Sequence, residues 1–240
     1  MLSRIMAHAE GAFRATTPEE ASARFFDAAR AYGASYLQTR LYRRPGIPLT
    51  SAVHYAAGGF VARMAPESWP HSDAFNYVCF ECNPLLTAIR ESRTRYRFSD
   101  FAPHADRRYG RYWEAMSEAG IADALCSTSY GGAGMIASLH LGFSARDFNP
   151  EESLAVQAAG LVLTEKLMSF AECPYEQTPL SGRERDALAL VADGKTDWEI
   201  SVILGISEST ARFHVDNARR KLNAVNRAHA VARMAARRLI

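Results

Sequence analysis

The chain has 240 residues, enough for one large core or two small ones, and its 48% hydrophobic and 22% charged content is that of an ordinary globular protein. No apolar run reaches the roughly 18 residues of a membrane-spanning helix, and the opening MLSRIMAHAEGAFRA is too polar for a signal peptide, so a cytoplasmic protein with reduced thiols is expected. The formal charge of +2 is unevenly spread: Leu180 to the end carries 11 Lys/Arg against 7 Asp/Glu, a net of +4, leaving 17 against 19, a net of −2, for residues 1–179. A basic C-terminal end favours a polyanionic partner.

In chain order, residues 17–32, TPEEASARFFDAARAY, open with a helix-start signal and show helical apolar spacing. SYLQTRLYRR alternates as a strand, and LTSAVHYA reads as a second strand. CFEC, residues 79–82, reads as a further strand, running into a helix that starts near Pro84. Its C-x-x-C pair, Cys79 and Cys82, lacks the second pair or histidine cluster a structural metal site needs, so neither metal nor cofactor is expected.

A helix is expected over residues 107–119. ALCSTSYGGAGMIASLHLGFS reads as two strands joined at Gly131-Gly132. The glycines lack the lysine and following helix of a phosphate loop. FNPEESLAVQAAGLVLTEKLMSF is a long apolar helix capped by Asn149 ahead of Pro150. Together these elements predict an α+β chain: an N-terminal α-β-α sandwich around a central antiparallel sheet over residues 1–170, with a linker at 171–179, AECPYEQTP.

Residues 180–240 show no strand pattern and predict a four-helix helix-turn-helix domain. Ser181 to Glu184 and Thr196 to Glu199 each fit a capping box. The second of these helices should turn Ile200, Ile203 and Leu204 inward. Gly205 then supplies a positive φ, Ser207 caps the next helix, and Asn226 caps the fourth. On the helix from Glu208, a stripe of Ala211, Val215, Ala218 and Leu222 faces the core. The opposite face holds Ser209, Phe213, Asp216 and Arg220, flanked by Arg212 and Asn217. An arginine beside an outward phenylalanine suits a major groove, where a guanidinium reaches guanine and a ring meets a thymine methyl.

The run LSGRERDALALVADGKTDWEISVILGISESTARFHVDNARRKLNAVNRAHAV resembles the DNA-binding domain of LuxR-type transcription regulators over about 60 residues without a gap. Glu184, Leu188 and Gly194 match the positions that define it. The resemblance implies base contacts from Arg212, Phe213 and Asp216, and phosphate contacts from Lys195 and Thr196, with Ser209, Thr210 and Arg220 on the same face. It departs from relatives in Arg212, where lysine is commoner, and in Ala211, where a β-branched residue is usual.

The N-terminal part resembles, in order of elements, the autoinducer-binding domain of the quorum-sensing branch, which takes acyl-homoserine lactones. That resemblance implies a ligand pocket with Trp69 on the lactone carbonyl, Asp73 near the place of a tyrosine, Asn83 in place of an aspartate, Phe98 in place of a second tryptophan, Ala124 in place of a glycine, and His140 near an acyl-chain contact. Asn83 is equally a helix cap, and His140, Trp69 and Phe98 are equally core residues. Losing the carboxylate at Asn83 and the tyrosine leaves three readings of this part: an acyl-homoserine lactone sensor, a sensor of a different small amphipathic signal, or a ligand-independent regulator or heterodimerising inhibitor with a degenerate pocket. The expected partners are double-stranded DNA at a palindromic operator and a second copy of the chain. An enzyme is not expected: Cys126 or Ser127 with His140 lacks a third orienting group, and no G-x-S-x-G elbow occurs.

Overall fold

The computed structural model describes residues 2–46, 48–171 and 180–236. The chain divides into two units: residues 1–130 with 135–172, and residues 173–240 with the turn 131–134.

In the first unit, α1 (Leu2–His8) and α2 (Glu10–Phe13) precede α3 (Pro18–Arg30). Thr17 starts α3 by accepting the Glu20 N–H at 3.2 Å, with Pro18 preset at the first helical position. β1 (Ala34–Arg43) follows, then α4 (Ser51–Ala56), β2 (Phe60–Met64), α5 (Asp73–Asn76), α6 (Leu86–Arg90), β3 (Arg95–Arg97), α7 (Gly110–Glu118), β4 (Asp123–Tyr130), β5 (Met135–Phe143) and α8 (Pro150–Ser169). The five strands form one antiparallel sheet in the order β2-β1-β5-β4-β3.

Strand alternation splits the interior into two cores. Leu37 of β1 and Leu139 and Leu141 of β5 pack against α3 and α8, with Phe25, Leu163 and Leu167. The intervening residues face the other way, into an aromatic core that holds Tyr36, Trp69, Phe98, Tyr112 and Trp113. Helices therefore cover both sheet faces, as the sequence predicted. α8 lies close on the sheet at Gly160, where a Cβ would come within 2.5 Å of Ser127 Oγ and 2.9 Å of Leu139 Cδ2.

Two predicted strands are not strands. LTSAVHYA folds as α4: Thr50 accepts the Val53 N–H at 3.2 Å, and this cap makes the segment helical. The first three residues of CFEC lie in a π-helical turn, Tyr77–Glu81, that continues α5 and buries no residue fully, and Cys82 caps its end. Short segments carry too few alternations to separate strand from helix.

In the second unit, α9 (Gly182–Ala192), α10 (Asp197–Leu204), α11 (Glu208–Lys221) and α12 (Arg227–Ala236) follow one another. Both capping boxes form: Glu184 accepts the Ser181 N–H at 2.7 Å, and Glu199 accepts the Thr196 N–H at 2.8 Å. Gly205 closes α10 at φ 64°, in the left-handed region where glycine pays no Cβ penalty. Ser207 accepts the Thr210 N–H, and Asn226 accepts the His229 N–H at 2.8 Å. Ala211, Val215, Ala218 and Leu222 are all buried. One prediction fails here: Ile200 is buried, but Ile203 stands exposed beside Val202 and Trp198. A short helix on a small core buries only a narrow stripe, and Ile203 falls off its edge. Of the predicted linker, residues 172–179 lie outside the described residues.

Candidate ligand cavity and nucleic-acid face

The outward face of α11 is built by the buried stripe behind it. Phe213 is 57% exposed, and Ser209, Arg212 and Arg220 are exposed with it. Ser209 and Thr210 gather at the cap, their hydroxyls 2.9 and 2.7 Å from that of Ser207. Arg212 donates from Nε to Asp197 at 3.1 Å and lies 3.6 Å from Glu208. Asp197 takes Arg227 as well, at 2.7 Å. Asp216 accepts from Arg219 at 3.5 Å, and Arg220 donates to Asn217 at 2.7 Å. Lys195 and Thr196 are exposed at the start of α10, where Thr196 also donates its hydroxyl to Glu199. All eight predicted DNA residues thus lie on α11 or at the start of α10. The acidic anchor Asp197, which sets the direction of Arg212, was missed. It lies 15 residues before Arg212, on a different helix, and no periodic signal links the two.

The first unit holds a cavity of about 70 Å³ on the aromatic side of the sheet. Trp69, Asn83, Phe98 and His140 all line it. Trp69 is buried and meets Phe75 edge-on at 5.8 Å. Its indole N–H donates to no acceptor among the described residues. Phe98 meets His140 edge-on at 5.4 Å. Asn83 lines the cavity, and its Oδ1 accepts the Leu85 N–H at 3.1 Å in a local turn; it is not the cap of α6, whose N-terminal cap is Leu85 without a side-chain bond.

Asp73 does not belong to this site. Ser72 caps α5 and turns Asp73 to solvent, and helical spacing brings Ala74 and Phe75 inward instead. Ala124 is buried within the aromatic core on β4 and does not line the cavity, since bulkier aromatic neighbours form the wall.

The residues the sequence left out are the most polar. Arg40 is 3% exposed, lines the cavity, and has only neutral partners. Its Nε and Nη2 donate to the Gly58 carbonyl at 3.0 and 2.7 Å, Nη2 also donates to the His54 carbonyl at 2.9 Å, and Nη1 lies 2.9 Å from His54 Nε2. The rings of Tyr42 and Phe60 lie 4.3 and 4.5 Å from its guanidinium carbon. Burial lowers its pKa, although an arginine stays charged regardless. Burial and the Arg40 charge push His54 down to about 3 and His140 down to about 4, so both are neutral at pH 7. Burial also pushes the Cys79 thiol up to about 11.

Tyr36, Tyr55 and Tyr112 bring phenols to the wall, although no tyrosine follows Trp69 where the resemblance implies one. The alternation of β1 carried the missed signal: Tyr36, Gln38, Arg40 and Tyr42 share one face, and that face is the cavity's.

Residues 178–235 match the luxR family of bacterial regulatory proteins. The chain is 33% identical over 161 residues to the transcriptional activator protein BjaR1 of Bradyrhizobium diazoefficiens, covering 65% of each chain. It is 41% identical over 88 residues to the quorum sensing-dependent transcriptional regulator RpaR of Rhodopseudomonas palustris, covering 36% of each. These matches thus span a little under two thirds of the one and about a third of the other. In fold, it is similar to the crystal structure of Escherichia coli SdiA, at a TM-score of 0.60 and 23% identity over 99% of this chain and 98% of that one. SdiA has also been solved in complex with octanoyl-rac-glycerol.

Proposed function

We propose that this chain, whose residues 178–235 match the luxR family of bacterial regulatory proteins, is a DNA-binding transcription regulator of the quorum-sensing type, acting in the cytoplasm and controlled by a small amphipathic molecule in its N-terminal cavity. The observation that carries the proposal is α11. Its apolar stripe is fully buried, and its opposite face offers Arg212, Phe213 and Arg220 to a groove. Arg212, Phe213 and Asp216 read bases; Lys195, Thr196 and Arg220 position the helix on phosphates. Two copies of the chain bind a palindromic operator, each half-site taking one α11. The role is regulatory rather than enzymatic.

DNA affinity of the full chain, measured on a selected operator and on random duplex, tests this. A steep negative slope against salt is expected for both. Arg212→Ala should weaken the operator selectively, by about 1–3 kcal/mol, and leave random duplex nearly unchanged. Uniform weakening on every sequence would remove the base-reading role.

The support for ligand control is the cavity itself, together with the octanoyl-rac-glycerol complex of SdiA, a protein of similar fold. The narrowness of the cavity, about 70 Å³ against roughly 300–1,000 Å³ for sites that take drug-sized ligands, favours a second reading. In it the aromatic side chains fill the site, and the chain is a ligand-independent regulator or the inhibitor half of a heterodimer. Thermal shifts with acyl-homoserine lactones and with small acids separate the two, because a ligand bound only to the folded state raises the melting temperature.

A further inference from the structure

The polar lining of the cavity is unbalanced. None of its lining residues is an aspartate or a glutamate. Arg40 places a buried positive charge on its wall, and every partner of that guanidinium is a carbonyl, an imidazole or a ring face. A second guanidinium stands close by. Arg63 donates from Nε to Gln38 at 3.0 Å and lies over the rings of Phe60 and Phe75, three residues of the cavity wall. Its Nη2 is buried and has no hydrogen-bond partner.

Two like charges near one small cavity, with no carboxylate between them, repel each other and cost desolvation energy that nothing in the wall returns. The remaining unsatisfied groups can all donate. The buried Tyr112 hydroxyl lines the cavity without a partner. Among the described residues, the Trp69 indole N–H and the Asn83 side-chain NH2 also donate to no acceptor. The site offers donors and positive charge and asks for an acceptor that carries negative charge.

We propose that the cavity takes an anion: a small organic carboxylate whose two oxygens accept from the Arg40–Arg63 side and the neighbouring donors, and whose short apolar body lies among Trp69, Phe75 and Phe98. The planar fork of a guanidinium suits a carboxylate, and bonds to a charged acceptor are about twice as strong as neutral ones. This deepens the reading of the N-terminal unit as a ligand sensor and rests on it.

Two matched pairs of probes test it on the full chain by calorimetry and thermal shift at pH 7: 3-phenylpropionate against 3-phenylpropionamide, and ring-opened N-hexanoyl-L-homoserine against its lactone. In each pair the carboxylate is expected to bind at least about tenfold tighter than its neutral partner. Arg63→Gln is expected to reduce that preference to near parity while the neutral member binds as before. Arg63 is half-buried on an edge strand, so this variant should keep its fold, which circular dichroism checks. Arg40→Gln should abolish carboxylate binding. If a neutral probe binds as tightly as its acid, or if the preference survives both variants, the anion assignment is overturned and the sensor reading stands. If no probe of either pair binds, the sensor reading falls and takes this inference with it.

Discussion

Arg212 donates its Nε to Asp197 at 3.1 Å, so the residue assigned to the DNA bases is steered by the first residue of α10. The same carboxylate oxygen accepts Arg227 from α12 at 2.7 Å, and Asp197 is nearly buried. One anion therefore joins three of the four helices of the second unit.

Asp197→Asn should destabilise that unit by about 1–3 kcal/mol, since two charge-assisted bonds are weakened at a buried site. Urea unfolding followed by far-ultraviolet circular dichroism measures the loss. The Arg227 bond, followed by that of Arg212, outweighs desolvation and lowers the Asp197 pKa. A depressed carboxylate pKa gives stability that is present above the unfolded value, about 3.9, and is lost as pH falls through the folded value. The variant should lack that part of the acid limb.

Glu184 closes the other polar joint. It accepts the Ser181 N–H at 2.7 Å and the Lys221 ammonium at 2.8 Å while buried. Desolvation raises its pKa, but the bonds from Lys221 and Ser181 outweigh it and the net shift is downward. Glu184→Ala is expected to cost about 2–3 kcal/mol, and Ser181→Ala, which removes only the cap, about 1 kcal/mol. Equal losses in thermal unfolding would show that Lys221 contributes nothing through Glu184.

Gly160 tests the closeness of α8 to the sheet. Alanine is a better helix former by about 1 kcal/mol, yet here its Cβ would collide with Ser127 and Leu139. Gly160→Ala should destabilise the first unit by about 1–3 kcal/mol net. A stabilised variant, read from its denaturation midpoint, would mean that α8 sits further from β4 and β5.

The two cavity histidines give the first unit a pH dependence of its own. His54 near 3 and His140 near 4 bind protons in the folded state only well below the unfolded value of about 6.5. The unfolded chain binds more protons between those values, so stability falls as pH falls from about 6.5 towards 4, by up to about 1.4 kcal/mol per pH unit for each histidine. Most carboxylates titrate below this window's upper half. Melting temperatures at pH 6.5 and pH 5 should therefore differ in the native chain and differ less in His140→Phe.

Much of this protein was legible in its sequence where local signals repeat. The α11 stripe, both capping boxes, Gly205 and the Asn149 cap all rest on contacts within a few residues, which spacing alone specifies. The hairpin of β4 and β5 was equally plain, because two alternating runs flank a glycine turn. LTSAVHYA misled because one turn of helix and one short strand share the same few apolar residues, and the cap at Thr50 decided between them.

The sequence by itself determined the four-helix unit, its outward face and, in the first unit, α3, β1, the β4–β5 hairpin and α8, because hydrogen-bonded caps and periodic burial are local. Only the tertiary structure decided what the cavity is made of. Arg40 and His54 lie 14 residues apart, and Arg63 meets Gln38 across 25. Such pairs form because strand pairing sets β1 beside β2 and turns one face of β1 inward. The tertiary fold put two guanidiniums beside a wall without a carboxylate and brought Asn83, Trp69, Phe98 and His140 together.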